Sequence, residues 1–141
     1  MKKEKLLKQV IDAVVKHELT GGLPLIDVID YYSQVIDTPG RFYYIEEDGE
    51  LLAFVDGFNL EQEPYSLQEA LLLFAKNPNN NGKIHVVINA VNVKGEGNFR
   101  EVMREAEKDH PDWEYLMWYS IKHDRFVKMK SRREPCRETA E

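Results

Sequence analysis

The chain has 141 residues, 43% of them hydrophobic and 31% charged, and a net charge of −6. That length suits one domain with a single core, and no apolar run approaches the ~20 residues that a membrane-spanning helix needs. The only cysteine, Cys136, rules out an intrachain disulfide and an all-cysteine metal site, which fits a reducing, cytoplasmic setting.

Met1-Lys2-Lys3 has the charge of a signal-peptide start, but Lys8, Asp12, Lys16 and His17 interrupt any apolar segment behind it. Instead Leu6, Leu7, Val10, Ile11, Val14, Val15 and Leu19 recur with a helical period, predicting a helix over 3–19 that Thr20-Gly21-Gly22 ends. Pro24 suits the start of a second helix, which carries Leu25, Val28, Ile29, Tyr32, Val35 and Ile36 and stops before Asp37-Thr38-Pro39-Gly40. Residues 41–47 and 50–56 read as strands joined by Asp48-Gly49, the dipeptide that best tolerates positive φ at both central positions of a tight hairpin. Ser66 and Glu69 have capping-box spacing, so a third helix is expected over 66–76, followed by a loop at 77–82.

The segment after that loop carries the most functional information. An apolar strand over 83–93 runs into Lys94-Gly95-Glu96-Gly97, and Phe99, Val102, Met103 and Ala106 mark one face of a helix over about 97–109. Glycines at such a turn let backbone approach an anion, and a helix start offers unsatisfied N–H groups and a positive dipole end. Asn98 can cap this helix, with Glu101 three residues on. Trp113–Ser120 and 125–131 then read as strands, and the polar tail 134–141 is expected to be disordered beyond a single domain over 1–133. The order ααββαβαββ predicts an α/β (α+β) fold, a mixed sheet flanked by helices.

This order of elements, with its glycine turn, resembles the GNAT superfamily of N-acetyltransferases. There, two helices precede a hairpin, and a strand, glycine loop, helix and strand follow in a mostly antiparallel sheet. The superfamily motif Gln/Arg-x-x-Gly-x-Gly/Ala corresponds to Asn92-Val93-Lys94-Gly95-Glu96-Gly97. The resemblance implies an acyl-CoA-dependent N-acyltransferase, with acetyl-CoA or another acyl-CoA as co-substrate and a small-molecule or protein amine as acceptor. It places the CoA pyrophosphate on Asn92, Val93, Lys94, Gly95, Glu96, Gly97 and Asn98, and the pantetheine arm and thioester along the strand around His85 and Val87. Three departures are visible. Asn92 stands where the motif has Gln or Arg, and Glu96 puts a carboxylate in a loop that should receive phosphate. The final helix of the superfamily, which often carries a tyrosine acid, has no counterpart after Ser120. These departures support an alternative, a catalytically inactive GNAT-fold binding or structural subunit.

Acetyl transfer to an amine needs a polarised thioester, a deprotonated amine and a reprotonated thiolate. His85, Glu114 and Tyr119 have suitable chemistry as catalytic candidates, as does His123, although each is also an ordinary core or surface residue. Glu46, Glu47 and Asp48 at the hairpin read as a solvated face. The histidines at 17, 85, 110 and 123 lack ligand spacing, so no metal is expected. Arg100 stands where a dinucleotide-binding motif would need its third glycine, which excludes that motif. Residues 122–133 hold six basic residues against one acidic, a ribbon that could meet nucleic acid, with Trp113, Tyr115, Trp118 and Tyr119 nearby for stacking. The acidity of the rest of the chain, and the usual place of such aromatics in a core, argue against that use.

Overall fold

A computed structural model of the protein describes residues 1–95, 98–109, 113–120 and 125–128. Those residues form α1 (Lys3–Lys16), α2 (Leu25–Val35), β1 (Phe42–Glu47), β2 (Glu50–Leu60), α3 (Leu67–Lys76), β3 (Ile84–Asn92), α4 (Asn98–Asp109), β4 (Tyr115–Ser120) and β5 (Arg125–Lys128). The fold is mixed α/β, with a mostly antiparallel five-stranded sheet in the order β1-β2-β3-β4-β5. The β3–β4 pair is parallel, with Ile84 opposite Tyr115 and Val87 opposite Trp118, and α4 makes the crossover between its strands. By their contacts the residues divide into two compact units. One is Met1–Asp56 with Asn89–Ala106, and the other Gly57–Ile88 with the chain from Glu107 onward.

In the first unit, the helical period of α1 buries Leu6, Val10, Ile11, Ala13 and Val14, and α2 adds Val28 and Tyr32. They close over Leu51, Phe54 and Val91, with the Phe54 ring stacked on Phe42 and edge-on to Tyr32. At roughly 1.5–3 kcal/mol per buried large side chain, this packing is what makes two short helices stable.

α1 stops at Lys16, three residues before its apolar period runs out. The Leu19 amide reaches back to the Val14 carbonyl and the Glu18 amide to that of Val15, the paired bonds of a Schellman stop. Glu18, at φ 57°, occupies the left-handed position that usually falls to glycine.

At the hairpin, Asp48 (φ 52°) and Gly49 (φ 77°) are both left-handed, as the dipeptide predicts. The Gln9 side chain ties α1 to this turn, donating to the Gly49 carbonyl at 3.0 Å and accepting from the Leu51 amide at 2.7 Å. The β1–β2 register shifts between Ile45, opposite Ala53, and Glu46, opposite Leu51. Leu52 is thus the extra residue of a β-bulge.

The second unit packs Phe58, Leu60, Ala70, Ile84, Val86 and Met117 together. Ser66 caps α3 by accepting the Glu69 amide, while Glu69 returns its carboxylate to the Tyr65 amide rather than to that of Ser66. β2 does not end at Asp56 but continues to Leu60. Gly57 lies inside this strand because of close approach: a Cβ there would stand 2.2 Å from the Val86 carbonyl oxygen. Trp113 lies ahead of β4 rather than within it, almost fully buried. The tail 134–141, and residues 129–131 of the predicted last strand, lie outside the described residues.

Candidate functional site

The turn after β3 is built by backbone bonds as much as by glycine. The Leu52 carbonyl accepts the Val93 amide at 2.8 Å and the Lys94 amide at 3.1 Å. Asn92 Oδ1 accepts the Phe99 amide at 2.8 Å and so caps the first turn of α4. Asn98 is the first helical residue and not the cap, because its side-chain amide donates back to the Lys94 carbonyl at 2.5 Å. Lys94 pairs with Glu50, which holds the Glu50 carboxyl below its usual range. Gly95 takes φ +73°, and a Cβ there would meet only the Asn98 side-chain nitrogen at 3.4 Å. Among the described residues nothing meets the Gly95 or Asn98 amide. Glu96 and Gly97, the other two expected phosphate contacts, lie outside the described residues.

The catalytic candidates do not converge. His85 is buried on β3, its ring stacked 4.0 Å from that of Trp113, with Nδ1 2.6 Å from Asn59 Oδ1. The Asn59 side-chain nitrogen donates to the Asn80 carbonyl, so its oxygen is the atom that faces His85 Nδ1. Residues opposite each other in a ladder share a face, which puts His85 with Leu116. Tyr119 alternates with Met117 on the other face, its ring 5.2 Å from Phe126. Glu114 is exposed just before β4, its amide bonded to the Lys83 carbonyl. Val87 is fully buried on β3. His110, His123 and most of the basic ribbon 122–133 lie outside the described residues. Among those described, no three His, Cys, Asp or Glu side chains group as metal ligands, and no helix is long and apolar enough to cross a membrane.

A different cluster, absent from the sequence reading, occupies the first unit. Asp56 on β2 is 1% exposed, and its carboxylate accepts the hydroxyl protons of Tyr31 and Tyr32 on α2, each at 2.8 Å. The Asn89 side-chain nitrogen donates to the Tyr32 oxygen at 2.7 Å, and Arg41 donates to the Tyr31 oxygen at 3.3 Å. Among the described residues, Asn89 Oδ1 is buried without a partner. Burial pushes the Asp56 carboxyl up to about 6, against the pull of the two hydroxyls, the Arg41 charge and Asn89. The same burial, and then the Asp56 charge, raise both tyrosines well above their ordinary range, so they stay neutral donors. The visible signal was a polar residue inside an apolar strand, Asp56 after Leu51–Val55 and Asn89 after Val86–Ile88. Such residues need internal partners that sequence spacing does not name.

No protein-family model matches the chain, and no curated protein matches it.

Proposed function

We propose that the protein is a GNAT-like, acyl-CoA-dependent N-acyltransferase of the cytoplasm. It takes acetyl-CoA, or a related thioester, at Asn92–Asn98 and passes the acyl group to an amine on a small molecule or protein. The observation that carries this reading is the β3–glycine turn–α4–β4 crossover, the parallel step in a mostly antiparallel sheet. In α/β architectures, ligands sit beyond the carboxyl ends of parallel strands, and here that end leads through left-handed Gly95 to a helix N-terminus. Catalysis would then polarise the thioester carbonyl, remove a proton from the attacking amine and return one to the departing thiolate.

A second reading, a GNAT-fold binding subunit without catalysis, is favoured by one specific observation. Three amides at the turn, those of Val93, Lys94 and Phe99, are already met by Leu52 and Asn92, leaving fewer donors for a pyrophosphate. Calorimetric titration with acetyl-CoA separates the two. A working site gives saturable binding and, at 100 times Kd, about 2.7 kcal/mol of added stability. No heat and no stabilisation at millimolar ligand would refute the enzyme reading and leave the binding subunit.

A further inference from the structure

Proton transfer is the part of the reaction for which the expected residues are poorly placed. His85 and Tyr119 lie on opposite faces of their ladder, and Glu114 is exposed just before β4. The first unit, which also contains the glycine turn, holds a buried carboxyl that the mechanism so far leaves unused.

The bonds around that carboxyl have a direction. Its Oδ1 faces inward: it meets the hydroxyl of Tyr32, a residue only 1% exposed, whose oxygen also accepts from Asn89. Its Oδ2 meets Tyr31, which is only partly buried and whose oxygen also faces Arg41. Arg41 cannot surrender a proton, so it acts as a fixed positive charge beside the Tyr31 oxygen. Its ring contact, with the guanidinium 5.7 Å from the Tyr31 centroid, holds the pair together. Of the two hydroxyls that meet Asp56, the Tyr31 hydroxyl is the one on a half-buried residue, next to half-buried Arg41.

Resting on the acyl-transfer reading, we propose that Asp56 is the proton acceptor for the attacking amine, reached through the hydroxyl of Tyr31. A neutral primary amine attacks the thioester carbon, and its nitrogen lone pair forms the new C–N bond. The nitrogen gives a proton to the Tyr31 oxygen as Tyr31 passes its own proton to Asp56 Oδ2. The C–S bond then breaks with its electron pair on sulfur. The proton held by Asp56 returns along the same route to the thiolate, leaving an amide, free CoA and the original carboxylate. Tyr31 touches the amine in this scheme, whereas Asp56 acts through it as a positioning and proton-storing residue. The groups facing Asp56 are Tyr31 and Tyr32 from α2, Arg41 from the segment before β1, and Asn89 from β3. Burial keeps the proton affinity of Asp56 close to neutrality, which suits a group that must both take and return a proton.

The test compares wild-type protein with Tyr31→Phe, Tyr32→Phe and Asp56→Asn. CoA thiol release from acetyl-CoA is followed between pH 5 and 9, with poly-L-lysine and spermidine as amines. Wild-type kcat should fall as pH drops through the range where Asp56 takes up its proton. Y31F should lose that limb and about 100-fold in kcat with KM for acetyl-CoA unchanged, D56N should do the same, and Y32F should keep the limb. A purely structural cluster would instead make Y31F and Y32F equivalent. If Y31F turns over with its pH limb intact, or Y32F loses as much as Y31F, the relay is overturned and the acyl-transfer reading stands. If wild-type protein binds acetyl-CoA but releases no CoA with either amine, that reading fails and the relay with it. Should D56N not fold, Y31F alone decides, because it leaves the buried carboxyl in place.

Discussion

Replacing Asp56 with Asn should make the protein respond differently to pH in a direction opposite to that of most carboxylates. In the folded state burial holds this carboxyl at about 6, against a reference value of 3.8. Between those values the folded protein keeps a proton that the unfolded chain has lost, so stability declines as pH rises through the window. A gap of about two pH units, at ~1.36 kcal/mol each, comes to roughly 3 kcal/mol lost between pH 3.5 and 7. Other groups also titrate over this range, so the informative quantity is the difference between wild type and D56N. The uncharged amide keeps an acceptor for a tyrosine hydroxyl and has no proton to lose. Relative to wild type, the variant should gain about 3 kcal/mol between pH 3.5 and 7. Urea unfolding followed by far-UV circular dichroism measures it; tryptophan fluorescence is the poorer probe, since Trp113 and Trp118 belong to the other compact unit. A difference that stays constant with pH to within about 0.5 kcal/mol would mean that the carboxyl is not desolvated as its burial indicates.

Three further outcomes follow from backbone geometry. Glu18→Gly should raise stability by about 0.5–1 kcal/mol in urea unfolding, because it relieves a left-handed residue at the end of α1. Gly57→Ala should cost about 3 kcal/mol, since the new methyl would stand 2.2 Å from a backbone oxygen that cannot turn away, and a cost below 0.5 kcal/mol would refute the close approach. Asn92→Ala removes the cap on the Phe99 amide and should cost about 1 kcal/mol in urea unfolding, and no measurable loss would refute the cap.

Asn92 illustrates why the glycine turn was only partly legible. The strand, the turn and the helix each follow from local pattern: an apolar run, Gly95, and Phe99, Val102, Met103 and Ala106 spaced along one face. Which amides of that turn stay available does not. Val93 and Lys94 give theirs to Leu52, the residue at which the β1–β2 register shifts. A bulge has no fixed spelling, so its consequence some forty residues downstream could not be read from either segment.

The amino-acid order alone settled what depends on neighbours a few residues apart. The length-wise sequence of helices and strands, the left-handed Asp48-Gly49 turn and the Ser66 cap on α3 all rest on backbone preferences and short side-chain bonds. Only the assembled chain decided the partners of polar groups buried in apolar strands. Asp56 finds Tyr31 and Tyr32 on a preceding helix, Asn89 joins them from β3, and His85 turns to Asn59 and Trp113 instead of to Tyr119. A buried polar atom must be satisfied, but its partner is set by strand register and helix docking. Those are properties of distant segments brought together, and a local period carries no record of them.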